Sequence, residues 1–146
     1  MPAADLEAHL GYWLRRVSNH VSHAFARKLA ARGVTVAEWA LLRVLYERAP
    51  TAPSQAAREM GMTRGAITKL ADRLIAKGLL ARAADARDGR AQTLALTAKG
   101  AAFVPRLAAL ADQNEAECFA MLSEAERRTL ERLLRKLSAE HGLSAV

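Results

Sequence analysis

Residues 63–90, TRGAITKLADRLIAKGLLARAADARDGR, limit most strongly what this chain can fold into. Thr63 suits a helix N-cap, since its hydroxyl can take one of the amide protons that a first turn leaves unpaired. Ile67, Leu70, Leu74 and Ile75 fall on one face of the helix that follows, and Gly78 ends it. Residues 79–83 and 92–96 are short extended candidates, and Asp88-Gly89 between them is a strong turn pair. Seven side chains here are basic (Arg64, Lys69, Arg73, Lys77, Arg82, Arg87, Arg90) and three acidic (Asp72, Asp85, Asp88), a local net charge of +4. A helix followed by a hairpin, both basic, matches the shape of duplex DNA. The helix fits the major groove, and the hairpin reaches the neighbouring backbone or minor groove.

At 146 residues the chain is long enough for one domain with its own core. Hydrophobic residues make up 51% of it and aromatic ones 5%; alanine and leucine dominate, which favours helix. The formal net charge of +7 fits a polyanionic partner, although such a balance also describes a solvated surface. A single cysteine, Cys118, excludes an internal disulfide framework and a multi-cysteine zinc site. No apolar run approaches the roughly 18 to 20 residues that a membrane span needs. The segment MPAADLEAHLGYW lacks the basic and apolar regions of a signal peptide, so a cytoplasmic protein without a membrane partner is expected.

The remaining chain reads as helices. Leu6, Leu10, Trp13, Val17, Val21, Ala24 and Leu29 mark one stripe along a helix over residues 4–31, ended by Gly33. Its length, about seven turns, exceeds what a compact domain needs, so part of the stripe can face a partner chain. Thr35 caps a second helix over residues 36–48, and Ser54 caps a short third over 55–60 that stops at Gly61. With the helix after Thr63 this makes a helix-turn-helix. Thr97 caps a long helix to about residue 121, in which Pro105 is expected to cause a bend or to confine regular hydrogen bonding to the residues after it. Ser123-Glu124-Ala125-Glu126 is a capping box opening a last helix with Leu130, Leu133, Leu134 and Leu137 on one side. The fold class is mainly α with a small β-hairpin wing.

Several segments in this order resemble the MarR family of winged-helix transcriptional regulators, over nearly the whole chain. They are Val34-Thr35-Val36-Ala37-Glu38-Trp39, Ser54-Gln55-Ala56-Ala57, Met62-Thr63-Arg64-Gly65-Ala66-Ile67-Thr68 and Leu70-Ala71-Asp72-Arg73-Leu74. Lys77-Gly78-Leu79-Leu80-Ala81-Arg82, Asp85-Ala86-Arg87-Asp88-Gly89-Arg90 and Leu96-Thr97-Ala98-Lys99-Gly100 continue the pattern. The resemblance implies a homodimer whose residues 1–33 and 97–146 interlock as a helical dimerisation region, with residues 34–96 as the winged helix-turn-helix. It further implies a pseudo-palindromic double-stranded operator, usually repressed, and a small phenolic or carboxylated effector bound between the two regions.

Arg64, Thr68 and Lys69 are the candidates for base edges and adjacent phosphates, with Thr63 and Gly65 beside them. Ser54 and Gln55 offer donors to phosphate, Arg90 is the candidate minor-groove arginine beside Arg87, and Asp88 is expected to orient an arginine. Arg73 is expected to pair with a wing aspartate rather than read a base. Tyr12, Trp13, Arg16 and His20, with Trp39 and Arg43, occupy positions where the resemblance places effector contacts, although Trp13 and Trp39 read first as plain core residues. His20 and His23 share a helix face, yet no third ligand accompanies them, so neither metal nor cofactor is implied. Cys118, late in an apolar helix, reads as an inert packed thiol, with a redox-responsive regulator as the alternative. A winged helix serving as a protein-interaction module is the other alternative, and no motif of an enzyme is present.

Overall fold

The computed structural model describes residues 1–143. Among them, helices α1 (Leu10–Ala30), α2 (Val36–Leu45), α3 (Pro53–Met60) and α4 (Arg64–Ala76) are followed by strands β1 (Leu80–Ala84) and β2 (Gln92–Leu96). Helices α5 (Ala98–Cys118) and α6 (Glu124–Glu140) complete the chain. Thr35, Thr63, Thr97 and Ser123 each accept the N3 amide proton of the helix they open, as their residue type predicts. At α6 the capping box closes in both directions, and the Ser123 backbone N–H holds the Glu126 carboxyl below the usual carboxylate range.

Four expected boundaries move. The first helix is split: residues Leu6–Ala8 form a 3-10 turn, His9 is extended, and α1 begins at Leu10. The Trp13 indole N–H, donated to the Glu7 carbonyl at 2.9 Å, fastens that turn back onto α1. Helix α2 stops at Leu45 rather than residue 48 because Tyr46 is extended and Glu47 takes φ +55°. This redirects the chain so that Thr51 pairs with Leu94 of β2 through two backbone hydrogen bonds of 2.9 and 2.8 Å. Ser54 is not the cap of α3. Ala52 holds that place and Pro53 is the first helical residue, where its fixed φ and missing N–H cost nothing. Helix α5 ends at Cys118, and Pro105 lies within it without ending it.

Strands β1 and β2 pair antiparallel, with Leu80 opposite Leu96 and Ala84 opposite Gln92. One core unites the helix-turn-helix with the flanking helices: Leu29 of α1, Leu41 and Leu42 of α2, Ile67 and Leu74 of α4, Leu94 of β2 and Leu107 of α5 are all buried. The α1 stripe divides along its length. Ala24 and Leu29 enter this core, whereas Leu10, Trp13, Leu14 and Val17 are exposed, as are Leu133, Leu134 and Leu137 of α6. Among the described residues no helix is long and apolar enough to cross a membrane.

Candidate nucleic-acid interface

Helix α4 rests on α2 and α3 through Ile67, Leu70, Ala71 and Leu74, all buried. That packing turns Arg64, Gly65, Thr68, Lys69 and Arg73 to solvent. The wing stands beside α4, tied to it by the Arg82 guanidinium, which donates to Asp72 Oδ1 at 2.7 Å. Between them runs a groove of about 440 Å³ lined by Pro53, Arg64, Thr68, Arg82, Arg90 and Gln92, among others. Three of the predicted contact residues, Arg64, Thr68 and Arg90, thus meet on one concave surface although up to 26 positions separate them in sequence.

Apart from Arg82, the cations of this surface are uncompensated. Among the described residues no acid lies within ion-pairing distance of Arg64, Lys69, Arg73, Arg87 or Arg90. A groove carrying bare cations concentrates field toward a polyanion. The Thr68 hydroxyl donates to the Arg64 carbonyl at 3.0 Å. Its proton is therefore occupied within the helix, and its methyl group and remaining lone pair are what it can offer outward. Gly65 has open space where a Cβ would stand, so the helix N-terminus is bare backbone there.

Two pairings differ from expectation. Arg73 has no wing aspartate; the helix–wing ion pair is Asp72 with Arg82, the reverse assignment of acid and base. Arg82 points back across the hairpin to the exposed helix flank, which sequence order alone does not reveal. Asp88 orients no guanidinium. Its Oδ1 accepts from the Arg90 backbone N–H at 3.0 Å, and Asp85 does the same for Arg87 at 2.9 Å. The two aspartates shape the loop as Asx turns and leave both arginine side chains unpaired. At α3 the Gln55 amide is already bonded to the Ala52 carbonyl, so Ser54 N–H and the two exposed side chains are the donors left for phosphate.

The predicted effector residues separate into three places. Tyr12, Trp13 and Arg16 form one cluster, half-buried at Tyr12 and exposed at the other two, the guanidinium lying 5.6 and 5.7 Å from the two ring centroids and donating to the Tyr12 hydroxyl at 2.9 Å. Trp13 is therefore no core residue of the single chain, being 45% exposed. His20 lies further along the same helix, also exposed. Trp39 packs edge-on against Phe25 at the border of the core, and Arg43 covers Tyr46. Cys118 is half-buried, its Sγ 3.8 Å from Asn114 Oδ1. No group of three or more potential metal ligands is found among the described residues.

Glu38 carries no functional signal in the sequence, yet it is only 2% exposed. Its Oε2 accepts from Lys77 Nζ at 2.6 Å, and the same ammonium donates to the Gly33 carbonyl at 2.6 Å. The end of α4 is thereby latched to the α1–α2 turn. An acid at the third helical position of α2 reads as an ordinary first-turn residue, and only the tertiary contact gives it this second duty.

The helix-turn-helix, antiparallel wing and exposed basic helix face define a winged helix-turn-helix protein. A profile described as the MarR family matches residues 32–91. The HTH-type transcriptional repressor Rv2887 of Mycobacterium tuberculosis is 31% identical over 140 residues, covering 96% of this chain and 100% of the relative. This chain belongs to the MarR family. Apo MarR from E. coli superposes with a TM-score of 0.78 at 28% identity, over 88% of this chain and 96% of that one. Rv2887 in complex with DNA gives 0.75 at 28% identity, over 88% and 97%. The same protein in complex with p-aminosalicylic acid gives 0.70 at 28% identity, over 89% and 98%.

Proposed function

We propose that this chain is a ligand-responsive transcriptional regulator that binds a pseudo-palindromic DNA operator as a homodimer and represses the genes beside it. The observation that carries this is the groove between α4 and the wing, where Arg64 and Arg90 converge beside Thr68 with both guanidinium charges unneutralised. Rv2887, named a repressor and solved on DNA and with an aromatic carboxylate, supports it.

In this proposal α4 lies in the major groove. Arg64 and Lys69 donate to guanine O6 and N7, the Thr68 methyl packs on a thymine, and Gly65 lets the backbone approach closely. Ser54, Gln55, Arg73 and Arg87 hold phosphates, Thr63 fixes the helix start, and Arg90 enters the minor groove. Asp88 acts on DNA only through the turn it shapes. Residues 34–96 are the reading head, and residues 1–33 and 97–146 are the dimerisation region. A second copy covers the apolar faces left open on α1 and α6, and Tyr12, Trp13, Arg16, His20, Trp39 and Arg43 contribute to an effector site that the partner's α1 completes.

The test is affinity for duplex DNA measured against salt concentration. A steep linear fall of log affinity with log salt is expected from the release of counterions at several phosphates. A flat dependence would replace this account with that of a protein-interaction module.

A further inference from the structure

We propose that Glu38 is a positioning residue for DNA reading: through Lys77 it fixes the tilt of α4, and with it the register in which Arg64 and Thr68 meet their bases. Both carboxylate oxygens of Glu38 are engaged. Its Oε1 accepts from the Thr35 hydroxyl at 3.2 Å and its Oε2 from Lys77 Nζ at 2.6 Å. Lys77 is the C-cap residue of α4, and its ammonium also donates to the Gly33 carbonyl. The backbone is pinned at the same point: Lys99 Nζ donates to the Lys77 carbonyl at 3.1 Å, and Thr97 to the carbonyl of Gly78. One end of α4 is thus bonded to the α1–α2 turn and to the start of α5, while its first turn is capped only from Thr63.

A helix held this way is a lever. Its 13 residues span about 20 Å, so a tilt of about 5° at Lys77 carries Arg64 sideways by about 1.7 Å. Contacts to base edges need placement to within about 0.5 Å. The buried face of α4 (Ile67, Leu70, Ala71, Leu74) sets how deep the helix sits, but apolar attraction has no direction and leaves the tilt soft. Among the described residues the one other ion pair from α4 to a neighbouring element is Asp72–Arg82, which is exposed at Asp72 and therefore weakly held. The Glu38–Lys77 pair, buried at its acid, is the stiff directional tie. A buried carboxylate is a poor source of stability, since apolar side chains of similar size often do as well, so what this pair contributes is geometry. The inference deepens the proposed function and rests on it for the effect on DNA, though not for the tilt itself.

The test uses the full chain. Glu38→Met/Lys77→Met replaces the pair by apolar side chains, which is expected to leave Tm unchanged or higher while removing the directional tie. Glu38→Gln removes the acid's charge alone and raises the net charge by one, as does Glu140→Gln at the exposed end of α6. Residual dipolar couplings of the α4 amides in the free protein are expected to show α4 turned or spread relative to α2 by about 5° or more in both Glu38 variants, and unmoved in Glu140→Gln. Fluorescence anisotropy is then read on a duplex carrying the palindrome that wild type enriches from genomic fragments, and on one of equal length with scrambled half-sites. Both Glu38 variants are expected to lose at least about tenfold on the palindrome and nothing on the scrambled duplex. Added positive charge alone would tighten both duplexes together, the behaviour expected of Glu140→Gln. A palindrome preference kept by Glu38→Met/Lys77→Met, an unmoved α4 in that variant, or a fall in its Tm with both duplexes weakened alike would each overturn the proposal. A wild type that prefers no palindrome would sink the regulator reading, while the couplings still decide whether the pair sets the tilt.

Discussion

Gly65 shows how single residues divide between stability and recognition. Alanine is the better helix former, and the space beside Gly65 is open. Gly65→Ala is therefore expected to raise stability by about 0.5 to 1 kcal/mol in chemical denaturation. It is also expected to weaken DNA binding, because in the proposed complex the added methyl stands where the helix start approaches the duplex. Equal or tighter DNA binding would remove Gly65 from the interface. Arg90, unpaired and in the groove, is expected to behave oppositely: Arg90→Ala leaves stability within about 0.5 kcal/mol and lowers the salt slope by about one unit. An unchanged slope would take Arg90 off the DNA.

Among elements, α5 comes close to the backbone just before β1. A Cβ at Gly100 would stand 2.0 Å from the Leu79 carbonyl oxygen, and Thr97 donates its hydroxyl to the Gly78 carbonyl at 2.6 Å. Backbone packs on backbone here, so Gly100→Ala can be relieved only by moving α5 from the wing base. A loss of about 2 kcal/mol or more in unfolding free energy is expected, and a neutral result would show that this contact yields. Much at this scale was legible in sequence because it is local. Thr35, Thr63, Thr97 and Ser123 cap their helices through bonds spanning three residues, and the Asp88-Gly89 turn needs only its own neighbours. What was not legible depends on distant partners. Thr51 pairs with Leu94 across 43 positions, Arg82 chooses Asp72, and Lys77 finds Glu38 across 39. The cap of α3 falls to Ala52 rather than Ser54 by a local rule, the preference of Pro53 for the first helical position.

On the scale of the molecule, both ends of the chain present apolar residues that the single copy leaves in water. Leu10 is 89% exposed on a helix that the core engages only in part, and Leu137 is 50% exposed on α6, which buries no residue in the single copy. The excess length of the first helix was readable from its stripe, whereas where the stripe divides between core and open face was not, since periodicity is the same on both sides of that division. Leu14→Glu/Leu137→Glu is expected to convert the dimer to monomers in sedimentation. Duplex-DNA binding is expected to fall by at least about 100-fold, because one reading head then grips a half-site alone. A variant that stays dimeric would place the interface elsewhere.

The central claim, a dimer reading one operator through α4 and the wing, is tested most directly by selecting genomic fragments with the purified protein at physiological salt and sequencing what is retained. The account predicts enrichment of one imperfect palindrome with half-sites about 10 base pairs apart centre to centre, lost with Arg64→Ala. Retention of fragments without a shared motif, unaltered by Arg64→Ala, would contradict it.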